Sequence, residues 1–146
     1  MAAESQARVT QANVDGVAAF QDLARRLLAH WGYDPASIGV EDEQIRFRVD
    51  EHDVHLVWGV AGLIYLIVEA PLACVPADLP EWMRRSAPTG EAMQPVYALT
   101  PDGRLMCWVV MPAEVVDAAY LGRLVEAVVI GLKSGHGLLL AADFLR

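Results

Sequence analysis

The feature that most constrains this chain is a fifteen-residue apolar stretch, Val54 to Val68, broken by Gly59 and Gly62 and ended by Glu69 and Pro71. It is shorter than the roughly 20 residues that a bilayer-spanning helix needs. Two glycines three apart let the backbone reverse, so the stretch reads as a hairpin of Val54–Trp58 and Leu63–Val68. Just before it, Ile45, Phe47 and Val49 alternate with Arg46, Arg48 and Asp50. That period of two places apolar side chains on one sheet face and charges on the other. With Glu51-His52-Asp53 as the intervening turn, residues 45–68 predict a three-stranded meander. Its third strand is apolar on both faces, which predicts cover on both, by its own chain or by a second subunit.

Helices flank this sheet. From Val14, the residues Val17, Phe20, Leu23, Ala24, Leu27, Leu28 and Trp31 recur at three and four, the spacing of one helix face. Asn13 or Asp15 can cap its start, and Gly32 followed by Tyr33-Asp34-Pro35 ends it. Residues 1–12 lack any hydrophobic period and are expected to form a flexible N-terminus, leaving 13–146 as a single domain. Asp78 can cap a short helix through Leu79-Pro80-Glu81-Trp82-Met83-Arg84-Arg85, with proline in the first turn. Val96-Tyr97-Ala98-Leu99 and Leu105–Met111 flank Thr100-Pro101-Asp102-Gly103, a hairpin signal. Pro112 ends that strand. Val115 to Leu132 then carries a broad apolar stripe that predicts a helix of about 20 residues. Ser134-Gly135-His136-Gly137 breaks it, and Leu138–Leu145 has room for a final helical turn or two. The predicted fold class is α+β, in the order α-β-β-β-α-β-β-α, an antiparallel sheet flanked by helices.

Composition excludes several functions. Fifty-five per cent apolar residues against 21 % charged is enough to build a core. The net charge of −8 rests on 19 carboxylates, with Lys133 the single lysine. Such acidity argues against nucleic acid, whose phosphates need a basic patch, and against anionic membranes. The beginning, MAAESQARVTQ, carries Glu4 and no apolar core of a signal peptide, so the expected location is cytoplasmic. Cys74 and Cys107 are read as reduced thiols, with a disulfide as the minority alternative.

No catalytic constellation emerges. His52 and His55 stand among Asp50, Glu51 and Asp53, residue types that bind divalent metals. On a strand, however, positions three apart point to opposite faces, and the expectation is no metal and no cofactor. His30 and His136 lie at helix ends, where a histidine sits near the C-terminal dipole. Cys107 lies inside an apolar strand, without the electropositive setting that activates a thiol. Glu41-Asp42-Glu43 reads as a solvated acidic loop. Neither GxGxxG nor GxxxxGK[ST] occurs. What remains is apolar surface. Trp58, Tyr65, Trp82, Trp108 and Tyr120, with Met83, Met93, Met106 and Met111, are side chains that fill cores and also bind partners.

The element order, the hairpin Tyr97-Ala98-Leu99-Thr100-Pro101-Asp102-Gly103-Arg104-Leu105, and Val109-Val110-Met111-Pro112-Ala113 leading into a long apolar helix resemble the type III secretion chaperone fold over residues 14–140. The resemblance to its Tir-chaperone (CesT-like) branch implies a small acidic cytoplasmic homodimer, not an enzyme, that holds an extended segment of a secreted effector and serves virulence. It implies partner contacts at Phe47, Trp58, Tyr65, Tyr97 and Trp108, and dimerisation through Trp82 and Met83 on the middle helix. YbjN-like proteins resemble the same pattern and form the competing reading, a bacterial domain with a regulatory or unassigned protein-interaction role. One departure from the chaperone pattern is the short middle helix, followed by the Pro- and Gly-containing stretch Ser86 to Pro95.

Overall fold

A computed structural model describes residues 2–36, 43–75 and 95–134. Among them are two helices, α1 (Ala2–His30) and α2 (Ala118–Ser134), and five strands. The strands are β1 (Gln44–Val49), β2 (His52–Trp58), β3 (Leu63–Glu69), β4 (Val96–Leu99) and β5 (Leu105–Pro112). They form one antiparallel sheet in the order β1-β2-β3-β5-β4. The architecture is therefore the α+β fold the sequence predicts. The short middle helix expected around Trp82 and Met83 and the helical turn expected at Leu138–Leu145 lie outside the described residues.

Both helices pack on one face of the sheet and on each other. Phe20, Ala24, Leu27 and Leu28 from α1 meet Leu121, Leu124, Val125 and Val128 from α2 above a floor of Ile45, Leu56, Leu66 and Val109. Those four floor residues stand in one register row across β1, β2, β3 and β5. Burying this apolar area is the main drive to fold.

The boundaries differ from the sequence reading in three places. Helix α1 begins at Ala2, not at a cap near Asn13 or Asp15. Residues 2–12 hold Ala, Glu, Gln and Arg, good helix formers with no glycine or proline, so propensity extends the helix beyond its apolar stripe. The β1–β2 turn is Asp50-Glu51, not Glu51-His52-Asp53. Both residues have positive φ, 51° and 65°, as a two-residue hairpin demands. Helix α2 starts after Asp117, whose carboxylate accepts the Tyr120 N–H at 2.7 Å as an N-cap. Val115 and Val116 consequently precede the helix, Val115 in a single 3-10 turn at Ala113–Val115.

Candidate functional site

Alternation makes the two faces of the sheet chemically unlike. The inner face, under the helices, is apolar. The outer face carries the register rows Gln44/Val57/Tyr65/Val110, Arg46/His55/Ile67/Trp108/Val96 and Arg48/Asp53/Glu69/Met106/Ala98. One end of these rows is charged and the other apolar. No described helix covers the outer face, and its residues on β3 (Leu63, Tyr65, Ile67 and Glu69) are half-buried rather than enclosed. The apolar character of β3 on both faces thus meets a helix layer on one face only among the described residues.

The apolar end of the outer face is a strip of Tyr65, Ile67, Met106, Trp108, Val110 and Val96. Trp108 is 37 % exposed at its centre. An indole in that position offers a large apolar area at little entropic cost to a partner. Tyr65 stands over the turn after β2. A Cβ on Gly59 would lie 2.2 Å from the Tyr65 ring, so glycine there lets the phenol fold back across the backbone.

The charged end is an ion-pair network around a hollow of about 430 Å³ lined by Arg46, Arg48, Asp53, His55, Glu69 and Arg104, among others. Arg104 bonds Asp53 at 3.2 Å, Glu69 at 2.6 Å and Asp102 at 3.0 Å, tying the β4–β5 turn to β2 and β3. Arg48 takes the other oxygen of Asp53 at 2.9 Å. Burial works to raise the Asp53 carboxyl, but its bonds to Arg48 and Arg104 outweigh that and hold it below the usual range. The His55 Nε2–H donates to the Gln44 side-chain oxygen at 2.8 Å. Burial first, and then the Arg46 charge, push its basicity down.

The five sequence-derived partner residues divide between the faces. Tyr65 and Trp108 stand on the outer strip. Phe47, Trp58 and Tyr97 are in the core, 6 %, 8 % and 7 % exposed. Phe47 packs against Trp31 and Tyr33 with ring centroids 5.7 and 6.0 Å away, and Trp58 against Phe20 at 6.0 Å. The reason is register: Phe47 pairs with Val54, which pairs with Val68, then Cys107 and Tyr97, all on the inner face. The same row encloses Cys107, and burial pushes its thiol well up, away from nucleophilic use.

Sequence reasoning overlooked two positions, Arg104 and Tyr33. Arg104 follows Asp102-Gly103 in a turn, where an arginine reads as solvated. Tyr33 reads as a helix terminator, yet its hydroxyl donates to the Arg48 carbonyl at 2.7 Å and accepts the Arg48 N–H at 3.2 Å. His52 and His55 do occupy opposite faces. His52 is fully buried on the inner face, its Nδ1 2.8 Å from the Asp50 carbonyl. Among the described residues no group of three or more His, Cys, Asp or Glu side chains is close enough to hold a metal ion, and no helix is long and apolar enough to cross a membrane.

No protein-family model matches the sequence, and no curated protein does either. Solved structures do match. One is the Yersinia pestis type III secretion chaperone SycH in complex with a stable fragment of YscM2, with TM-score 0.61 and 14 % identity over 77 % of this chain and 96 % of that one. A second is the HopA1-SchA chaperone-effector complex, with TM-score 0.63 and 15 % identity over 84 % of this chain and 96 % of that one. A third is the ExsC-ExsE complex, with TM-score 0.65 and 10 % identity over 84 % of this chain and 95 % of that one. The fold of this chain is the type III secretion chaperone fold.

Proposed function

We propose that this chain is a non-catalytic binding protein that holds an extended segment of a secreted effector, as a type III secretion chaperone does. The observation that carries the reading is the apolar strip Tyr65–Ile67–Trp108–Val110, set on the sheet face that no described helix covers. A strip of this kind, rimmed by charge, is what a partner surface requires. The fold shared with two chaperones whose structures were solved in complex with partner proteins supports it. An extended partner gains main-chain hydrogen bonds at a sheet edge and specificity from alternate side chains placed in pockets. We further propose that the protein acts in the cytoplasm as a homodimer, with Trp82 and Met83 at the subunit contact.

The test is co-expression with candidate secreted proteins encoded beside it, followed by affinity capture, mass spectrometry and light scattering. The expected result is a dimer that retains one secreted protein through a segment near its N-terminus. Trp108→Ala with Tyr65→Ala should reduce retention at least tenfold. Unchanged retention by that double variant, or a monomer retaining nothing, would refute the reading.

A further inference from the structure

We infer that the inner face of the sheet holds a small-molecule site beside Trp58, between α1 and the connection from β5 to α2. Its ligand is an organic cation, an apolar body with a hydrogen-bond acceptor at the deep end and an ammonium group at the mouth. The site lies across the sheet from the strip around Trp108 and does not depend on the binding role proposed above.

Phe20 on α1, Trp58 at the end of β2 and Ile64 at the start of β3 are core residues, and register sets Ile64 beside Trp58 on the inner face. They floor a hollow of about 350 Å³ walled by α1 and by residues 113–118. That volume is at the lower end of the roughly 300–1,000 Å³ usual for ligand pockets, which suits one small molecule rather than a length of chain. Gly16 shapes the wall. A glycine inside a helix costs about 1 kcal/mol against alanine, but a Cβ at this position would lie 2.7 Å from Cζ2 of Trp58, so glycine lets the indole reach the helix backbone. The same Cβ would lie 3.7 Å from Cε2, the ring carbon that bears Nε1. The nitrogen-bearing edge of the indole therefore faces α1 where Gly16 lines the hollow.

That nitrogen sets one end of the ligand. The Trp58 Nε1–H is enclosed and has no hydrogen-bond partner. A buried donor left unmet costs about 1–3 kcal/mol. An indole can only donate, so the group it recruits is an acceptor. The mouth sets the other end. Its charged residues are Asp22, Arg26, Glu114 and Asp117, all exposed. Asp22 and Arg26 answer each other at 3.1 Å, and Asp117 caps α2 with its charge intact. Glu114 has no ion pair among the described residues. Three carboxylates against one guanidinium leave the mouth acidic, and the net charge of −8 on the chain adds to the same sign. An anion at the mouth would be repelled. An apolar floor, a donor at depth and carboxylates at the rim together fit a cation whose acceptor lies away from its charge.

The test titrates the full, isotope-labelled chain with 4-methoxyphenethylamine, whose ether oxygen accepts but cannot donate, and follows the indole N–H signals by NMR. Trp58→Phe identifies the Trp58 signal by its loss. Two analogues separate the ends: 4-ethylphenethylamine has a methylene in place of the oxygen, and 3-(4-methoxyphenyl)propionate has a carboxylate in place of the ammonium. The methoxy amine is expected to move the Trp58 signal downfield and to bind about fivefold more tightly than the ethyl amine, the equivalent of one neutral hydrogen bond. The propionate should bind more weakly still. Ala19→Trp, an exposed substitution on α1 that fills the hollow and whose folding is checked by circular dichroism, should abolish the shift. Glu114→Gln should weaken the methoxy amine about threefold, and Glu51→Gln, at the far end of β2, should leave it unchanged. Equal affinity for the three compounds, a Trp58 signal that stays in place, or binding that survives in A19W would overturn the inference. So would equal weakening by E114Q and E51Q, which would trace the attraction to the net charge of the chain alone.

Discussion

Leu66 and Ile67 are adjacent on the central strand β3, yet the fold gives them opposite surroundings, and replacing each by alanine measures the asymmetry of the sheet. Leu66 is fully buried, between Leu56 on β2 and Val109 on β5, beneath the helices. Ile67 is half-buried on the outer face, between His55 and Trp108. Either substitution removes three carbon atoms, with a transfer cost of about 2.4 kcal/mol at about 0.8 kcal/mol per methylene if fully enclosed. At Leu66 a cavity cost adds to this, because strands held by hydrogen bonds on both sides cannot collapse into the space. The expected loss is about 3–4 kcal/mol. At Ile67 about half the transfer cost applies and no closed cavity forms, for a loss of about 1 kcal/mol.

The gap of about 2 kcal/mol corresponds to about 1 M in urea midpoint at an m-value of about 2 kcal/mol/M. Loss of a β-branched residue at Ile67 narrows it by a few tenths of a kcal/mol without closing it. The assay is equilibrium urea unfolding followed by tryptophan fluorescence at two protein concentrations tenfold apart, with m required to stay constant. Equal losses for the two variants at both concentrations would refute the assignment of one covered and one open face. A loss at Ile67 that grows with protein concentration would show a second copy seated on the strip and displace the proposed subunit contact at Trp82 and Met83.

Three further outcomes are expected. Tyr33→Phe removes the hydroxyl that serves both backbone groups of Arg48, so it should cost about 1 kcal/mol and raise amide hydrogen exchange at Arg48 more than at Phe47; unchanged exchange at Arg48 would remove Tyr33 from the edge. In a Cys74→Ser background, buried Cys107 should resist iodoacetamide at pH 8 in the native protein and react fully in urea, and rapid native alkylation would contradict its enclosure. Asp50, held down chiefly by its Lys133 bond, and Asp53, held down by Arg48 and Arg104 against the effect of burial, have folded pKa values below the unfolded 3.8. Their contribution is therefore complete above the unfolded value and lost as pH falls through the lower folded values. Thermal melts should fall below pH about 4, and Asp53→Asn should flatten that limb while leaving the slope between pH 6 and 8 unchanged. An equally steep acid limb in D53N would show that the network does not set it.

Much of the fold was legible because its signals are local. Alternation in Ile45–Val49, glycines at 59 and 62, and Thr100–Gly103 each specify strands and reversals within a few residues. The faces were less legible. In β1 the alternation of apolar and charged residues separates them, so Phe47 shares its face with Ile45. In β2, β3 and β5 both parities are largely apolar, and only register with β1 decides that Trp58 and Cys107 go inward while Tyr65 and Trp108 go outward. Register is a long-range property, which is why an aromatic inventory alone joins Phe47, Trp58 and Tyr97 to Tyr65 and Trp108 although the sheet separates them. The hairpin at Asp50-Glu51 was hidden for a different reason. Glu51 takes φ of 65° without being Gly, Asn or Asp, so only Asp50 of the two turn positions carries a turn residue. The cap at Asp117 was recoverable, since an aspartate just before Ala118-Ala119-Tyr120 is a helix-start signal that the apolar stripe from Val115 overrode.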